Sequence, residues 1–394
     1  MRFLFCNDNY PGRFGSMPSR LASDPANKVM FLSFRPRQGE TSKGVIHARL
    51  NLNRDRGRMV QSRDVFLAEW EKMFHLGKQA LQTFIHIRDS GFIPDVILVS
   101  FFDGPALFLR HAFPDAFIVS YFNGFRGKKD SPEDILKFQA VMDLQRSLAA
   151  QSDLYFVRSE AQKSCFPSLL QPIIHVWPVY VDTEFFSPRP RELSYFFPSL
   201  HFEGEKELVT IHMKGGGGSS RQVTQVILGL LIQRPGCLVA LTFGKGAAKA
   251  QWEGICSALP AELRERLFLA EGLDSIAYHK LLCSTTIHMF PEPIHPPLQE
   301  MLESMSCETL LMMPLESKES GLLRDGENMI SMPEGDGEAQ LKKICHVLDH
   351  AKDFEIVRRN ARRTIEKNHS ESVVFDRHID ILMKAYAAHH EEHD

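Results

Sequence analysis

The sequence predicts two doubly wound α/β domains in tandem. Short β-rich runs alternate with helix-length amphipathic segments, the alternation stops at a proline-containing stretch and restarts, and 394 residues suffice for two cores. Apolar residues make up 43% and charged residues 24% of the chain, a globular balance that excludes disordered, collagen-like and coiled-coil classes. The longest apolar stretches, such as Val96–Phe102 and Val226–Ile232, fall far short of the ~18–20 residues that span a bilayer.

The first domain, residues 1–180, has expected strands at Arg2–Cys6, Val29–Phe34, Asp95–Phe101, Ala116–Tyr121, Leu154–Val157 and Ile173–Val176. Between them, residues 64–90 space Phe66, Trp70, Met73, Phe74, Gly77, Leu81, Phe84 and Ile85 by three and four, which predicts a long helix with one buried stripe. Residues 132–150 follow the same rule. Residues 181–200, with Pro188 and Pro190, read as a linker. In the second domain, 201–370, strands are expected at Leu208–His212, Leu238–Phe243, Leu267–Leu269, Ile287–Phe290 and Thr309–Met313, with helices near 221–233, 249–258, 274–284, 298–306 and 337–350. A terminal helix and tail, 371–394, close the chain, and His389, His390 and His393 are read as part of a frayed, solvated end. In such sheets ligands bind at the carboxyl ends of the strands, so a site facing a cleft between the two domains is expected.

The net charge of −3 conceals an asymmetry: residues 1–180 hold 23 Lys/Arg against 17 Asp/Glu, and the remainder 23 against 32. Within 35–63, Arg35, Arg37, Lys43, Arg49, Arg54, Arg56, Arg58 and Arg63 face only Glu40 and Asp55. That suggests an anionic partner, although a solvated loop has the same composition. The seven cysteines form no C-x-x-C pair and read as buried thiols. With no signal-peptide core near the start, a cytoplasmic protein is expected, with peripheral contact at the inner membrane surface as a variant of that reading.

Three segments could carry chemistry. After the first strand, Gly12 and Gly15 could bring backbone N–H groups to a ligand, or simply make a tight turn. At the head of the second domain a strand ends in Lys214, followed by Gly215, Gly216, Gly217 and Gly218 and then Arg221. Two cations flanking a run of amides could neutralise a diphosphate, and a flexible surface loop is the plainer alternative. The spacing is not that of a Walker loop. Third, Phe290–Cys307 runs from a strand end into a helix bearing Glu300 and Glu303, where an acid can hold two ribose hydroxyls or merely favour the helix start.

The segment Leu302-Glu303-Ser304-Met305-Ser306-Cys307 resembles the L-E-A-M-A-C of retaining family-4 glycosyltransferases of GT-B architecture, and Arg324-Asp325-Gly326-Glu327-Asn328 matches their R-D-G-E-N. Asn9-Tyr10-Pro11-Gly12-Arg13-Phe14, Gly104-Pro105-Ala106-Leu107-Phe108-Leu109 and Val181-Asp182-Thr183-Glu184-Phe185-Phe186-Ser187-Pro188 are similar to further family segments, in the family's order. The resemblance implies a GT-B enzyme of polysaccharide biosynthesis that moves a hexose-type sugar, with retention, from a nucleoside-diphosphate sugar to a glycan, lipid-linked or protein acceptor. It implies that Glu303 binds the donor ribose and that Lys214 and Arg221 stabilise the leaving diphosphate, which is electrostatic catalysis. The sequence has no D-x-D triplet, so no metal and no cofactor beyond the co-substrate are implied, and no nucleic-acid partner is expected.

The departures from the family concern the same segments. Where the family commonly has a glutamate eight residues before the ribose-binding one stands His295, while Glu292 and Glu300 hold that spacing in another register. Pro296 and Pro297 lack N–H donors. Ser100 stands where the family often has an acceptor-side histidine, and Asp103, a helix cap or a catalytic group, is the nearest titratable side chain. These departures support the alternative of an inactive binding or scaffolding subunit. A sugar-nucleotide epimerase on the same architecture is a third reading.

Overall fold

The computed structural model describes residues 1–35, 43–50, 63–100, 104–122, 131–158, 160–164, 166–201, 206–213, 220–243, 249–292, 299–315 and 322–391. The chain divides into two compact units, Met1–Pro178 with Phe375–Asp394, and Val179–Val374.

The first unit is built on a parallel sheet of β1 (Arg2–Asn7), β2 (Lys28–Ser33), β3 (Val45–Arg49), β4 (Val96–Ser100), β5 (Phe117–Tyr121), β6 (Leu154–Val157) and β7 (Ile174–Val176). Their order is β3-β2-β1-β4-β5-β6-β7, so the chain reverses direction across the sheet between β1 and β4. The inner strands are continuous apolar runs because helices cover both faces. On one side Leu4 and Cys6 meet Leu32, Ile97, Met73 and Phe84. On the other, Phe5 packs edge-on against Phe14 at 5.0 Å and stacks with Phe31 at 6.1 Å.

The expected long helix runs Val65–Asp89, capped by the Asp64 carboxylate, which accepts from Leu67 N–H at 2.9 Å. It passes so close to the Gly104-Pro105 turn that a Cβ on Gly104 would lie 1.9 Å from the Met73 carbonyl oxygen. Glycine in that motif is therefore set by packing. Strand β3 lies inside the basic segment that the sequence shows only as a charge run: a five-residue strand at the sheet edge, with Ile46 half exposed, has too little alternation to stand out. Residues 36–42 and 51–62 of that segment lie outside the described residues.

The second unit repeats the plan with β8 (Glu207–Met213), β9 (Cys237–Phe243), β10 (Leu267–Glu271), β11 (Ile287–Met289), β12 (Leu310–Met313) and β13 (Ile330–Ser331), in the order β10-β9-β8-β11-β12-β13. Its reversal point is β8/β11. The helices Ser220–Gln233 and Gly337–Asp349 cover one face with Val223, Ile227, Leu230, Leu341 and Ile344, and Gln299–Ser306 covers the other with Met301, Leu302 and Met305. Residues 181–200, read from the sequence as a linker, sit within this unit. Asp182 Oδ1 accepts from Phe185 N–H at 2.9 Å, Phe186 joins the core, and Arg191 donates to the Ser284 carbonyl. The Arg324–Asn328 motif forms a turn into β13: Asn328 accepts from Arg324 N–H and donates to the Leu322 carbonyl, while Asp325 accepts from Ser331 N–H.

The last helix, Glu371–Glu391, returns to the first unit, where Phe375 and His378 pack on Trp177 and His389 lies 5.4 Å from Phe117. The structure thus corrects the reading of the histidine-bearing end as frayed, since His389 has a ring partner on the sheet. His393 lies outside the described residues. Among the described residues no helix is long and apolar enough to cross a membrane.

Candidate functional site

In the second unit, a cavity of ≈ 360 Å³ opens beside the β8/β11 reversal point. Strand ends supply His212, Thr242, Phe243 and Ala270, the connection after β10 supplies Gly272 and Leu273, and the helices Ser275–Ser284 and Gln299–Ser306 supply Ser275, Tyr278, Gln299, Glu300 and Glu303. Parallel strands direct their carboxyl ends and the following helix starts to the same edge, which is why residues so distant in sequence converge there.

Glu303 lies deepest of the acids, 9% exposed. Burial pushes its carboxyl up to about 8, opposed by a hydrogen bond from Gln299 and reinforced by the nearby Glu300. Burial thus favours the protonated carboxyl over the carboxylate. Gln299 Nε2 also donates to the Tyr180 carbonyl at 2.9 Å, which fixes its orientation. Across the pocket, the buried Tyr278 hydroxyl has no hydrogen-bond partner among the described residues, and burial raises it well above its ordinary range. His212 shares a hydrogen bond with Thr242 at 3.1 Å and stacks on Phe290 at 4.9 Å. Beneath it His288 is fully buried and held neutral by desolvation and by the neighbouring His212. The pocket offers carboxyl, amide, hydroxyl and imidazole groups against Phe186 and Phe243: polar groups for hydroxyls, and rings for a flat face.

Of the residues singled out in the sequence, the structure brings Glu300 and Glu303 into this cavity. Glu292 is half-buried and Arg221 is exposed in the first turn of the helix Ser220–Gln233; neither is among the lining residues. Lys214, Gly215, Gly216, His295 and Asp103 lie outside the described residues. Gly12 belongs to the first unit, where its φ of +58° and the Asn7 amide, 1.6 Å from the place of a Cβ, account for the glycine. Gln299, Tyr278, His212 and Thr242 were not chosen from the sequence. His212 could have been, as a titratable side chain two residues before Lys214. Tyr278 carried no signal, because an aromatic on an amphipathic helix reads as core.

The first unit has a polar row of its own. Asn7, Ser33 and Ser100, paired in register at the carboxyl ends of β1, β2 and β4, are each less than 9% exposed. Close by in sequence, the Arg13 guanidinium lies 5.8 Å from the Tyr121 ring and 6.0 Å from that of Trp177. Tyr121 in turn hydrogen-bonds His378 Nε2.

Residues 25–186 match the family model described as the glycosyl transferase family 4 group. The whole chain is similar in structure to a glycosyltransferase from Rickettsia africae, at 12% identity over 98% of both chains with a TM-score of 0.68. It is similar also to a sucrose-phosphate synthase from Thermosynechococcus elongatus, at 12% identity over 98% of this chain and 100% of that one, TM-score 0.69. Anabaena HepE in complex with UDP-glucose aligns at 13% identity over 98% of this chain and 100% of that one, TM-score 0.63. These likenesses establish the fold as GT-B, two Rossmann-like domains. No curated protein sequence matches the chain.

Proposed function

We propose that this chain, whose residues 25–186 match the family-4 group model and whose fold is GT-B, is a family-4-like glycosyltransferase that moves a hexose-type sugar with retention from a nucleoside diphosphate to a glycan, lipid-linked or protein acceptor. One observation carries the reading: Glu303, Gln299 and Glu300 line a cavity at the β8/β11 reversal point, where a doubly wound sheet holds a nucleotide. Glu303 and Gln299 supply acceptors and donors for the two ribose hydroxyls, and Phe243 is a ring available to the base. Lys214 and Arg221, with the amides of Gly215 and Gly216, steady the departing diphosphate, so the rate enhancement comes from fixed charge. Glu292, Glu300 and His295 are assigned to the donor sugar by the family resemblance. The backbone at Gly12 is assigned to the donor, and Asp103 to the acceptor side, where the basic segment 35–63 favours an anionic acceptor or an anionic membrane surface. No metal is assigned to the transfer.

Uridine is the first base to test, because the Anabaena neighbour holds UDP-glucose. Thermal unfolding of the full chain with UDP, GDP or ADP should show a rise with one of them, since a ligand that binds the native state alone stabilises it. Glu303→Ala should remove that rise, and Lys214→Ala should abolish slow hydrolysis of the matching donor. No shift with any nucleotide and no donor turnover would refute the reading; an inverted product anomer would refute retention.

The alternative of a non-catalytic binding subunit has its support in Ser100, 1% exposed at the end of β4, where the family often has a histidine. It predicts nucleotide binding with no turnover of any donor.

A further inference from the structure

His279 and Cys283 lie one helical turn apart on the helix Ser275–Ser284, and Cys307 follows the helix Gln299–Ser306. Their donor atoms lie within 4.8 Å of one another, and among the described residues no other group of three His, Cys, Asp or Glu side chains is this close. Two of the three also converge on one acceptor: His279 Nε2 is 2.7 Å and Cys283 Sγ 3.4 Å from the Ser187 carbonyl oxygen. The rings of Phe185 and Phe186, 5.2 and 5.8 Å from the imidazole, screen the cluster.

We propose that His279, Cys283 and Cys307 form a binding site for a zinc-class divalent cation, with the Ser187 carbonyl oxygen as a fourth donor. Two sulfurs, one imidazole nitrogen and one oxygen are a set that such an ion accepts in tetrahedral array, and sulfur selects it over magnesium or calcium. An ion about 2.0–2.3 Å from each donor holds neighbouring donors roughly 3.3–3.8 Å apart; the three side-chain atoms, within 4.8 Å of one another, are within about 1 Å of that spacing, and His279 Nε2 moves out from its 2.7 Å contact with the Ser187 oxygen to reach it. On binding, the two thiols release two protons to solvent and His279 carries its N–H on Nδ1, leaving Nε2 for the ion. The consequence is structural: the ion ties the segment at Ser187 to the two helices that bear Tyr278 and Glu303. The inference does not depend on which donor the cavity takes.

The test uses the full chain, reduced and stripped with a chelator, then titrated with Co²⁺ as probe and Zn²⁺ as competitor. We expect one equivalent of Co²⁺ to give thiolate-to-cobalt charge-transfer absorption, lost on adding Zn²⁺, and Zn²⁺ to raise the unfolding temperature. Cys283→Ser and His279→Gln, both half-buried positions whose folding is checked by circular dichroism, should lose both effects; Cys345→Ser should keep them. Ions held by His389 or His390 give no thiolate band and cannot mimic the result. Absence of the band in folded wild type, or its full intensity in Cys283→Ser, overturns the proposal. So does air oxidation that consumes two thiols and yields a protein in which the reduced form also fails to bind Co²⁺, which would mark a disulfide pair instead.

Discussion

Gln299 donates a hydrogen bond to the Glu303 carboxylate at 3.0 Å, one helical turn along the same helix, and this is the bond that opposes the desolvation of a nearly buried acid. Burial wins, and it imposes a pH dependence. Glu303 titrates near 4.5 when unfolded and near 8 when folded, so between those values the folded chain holds a proton that the unfolded chain has lost. Its contribution is complete below pH 4.5 and is lost as the pH rises to 8, by an amount of the order of a few kcal/mol. Glu303→Gln, neutral at every pH, should match the wild type near pH 4.5 and exceed it in urea stability at pH 8–9. Equal stability of the two proteins at pH 9 would contradict the burial account.

Tyr278 places against the same cavity a hydroxyl that has no hydrogen-bond partner among the described residues. Such a group costs about 1–3 kcal/mol when buried, so Tyr278→Phe should leave the ligand-free protein as stable as the wild type or more stable by about 1 kcal/mol. Urea denaturation checks this. If the hydroxyl completes its hydrogen bonding on a bound nucleotide, the same variant should show a smaller nucleotide-induced thermal shift.

These residues mark where the sequence stops being legible. Strands such as β1, β4 and β9, apolar on both faces, are plain in the sequence, as is the helix over 65–89 with its Asp64 cap. Strands β3 and β13 are not, being an exposed edge and a two-residue pairing whose partners lie far away. Glu303 is visible through the L-E-S-M-S-C segment, whose other members turn out structural: Leu302 and Met305 fill the core, and Ser306 donates to the Phe186 carbonyl. Tyr278 and the meeting of Cys283 with Cys307 have no local signature, because the sheet brings two helices together that the sequence lists apart.

Gly104 makes the sharpest packing claim. Its missing Cβ lets the helix Val65–Asp89 lie against the Gly104-Pro105 turn, with Met73 carbonyl oxygen and carbonyl carbon 1.9 and 2.6 Å from where a methyl would go. The obstacle is backbone and no rotamer change relieves it, so Gly104→Ala should cost about 2–4 kcal/mol, at or above the usual range for overpacking. Gly91, with open space around its Cβ position but φ +90°, is the comparison: Gly91→Ala meets backbone strain without a clash and should cost less. Urea midpoints for the two variants decide, and an unaffected Gly104→Ala would refute the contact.

His378 gives the first unit the opposite pH response. It lies 4.6 Å from Trp177 and shares a hydrogen bond at Nε2 with the Tyr121 hydroxyl, which burial keeps protonated. Desolvation chiefly, and the Arg13 charge secondarily, push the imidazole down to about 3 from its ordinary 6.5. The unfolded chain therefore binds the extra proton first as the solution is acidified. The contribution of neutral His378 is complete above pH 6.5 and is lost as the pH falls to 3, again by the order of a few kcal/mol. His378→Gln, which cannot titrate, should lose less stability than the wild type between pH 6.5 and 4, read by fluorescence through Trp177. Arg13→Gln should weaken the wild-type dependence without removing it, because burial is the larger cause. An acid limb as steep in His378→Gln as in the wild type would place the sensitivity elsewhere in the first unit.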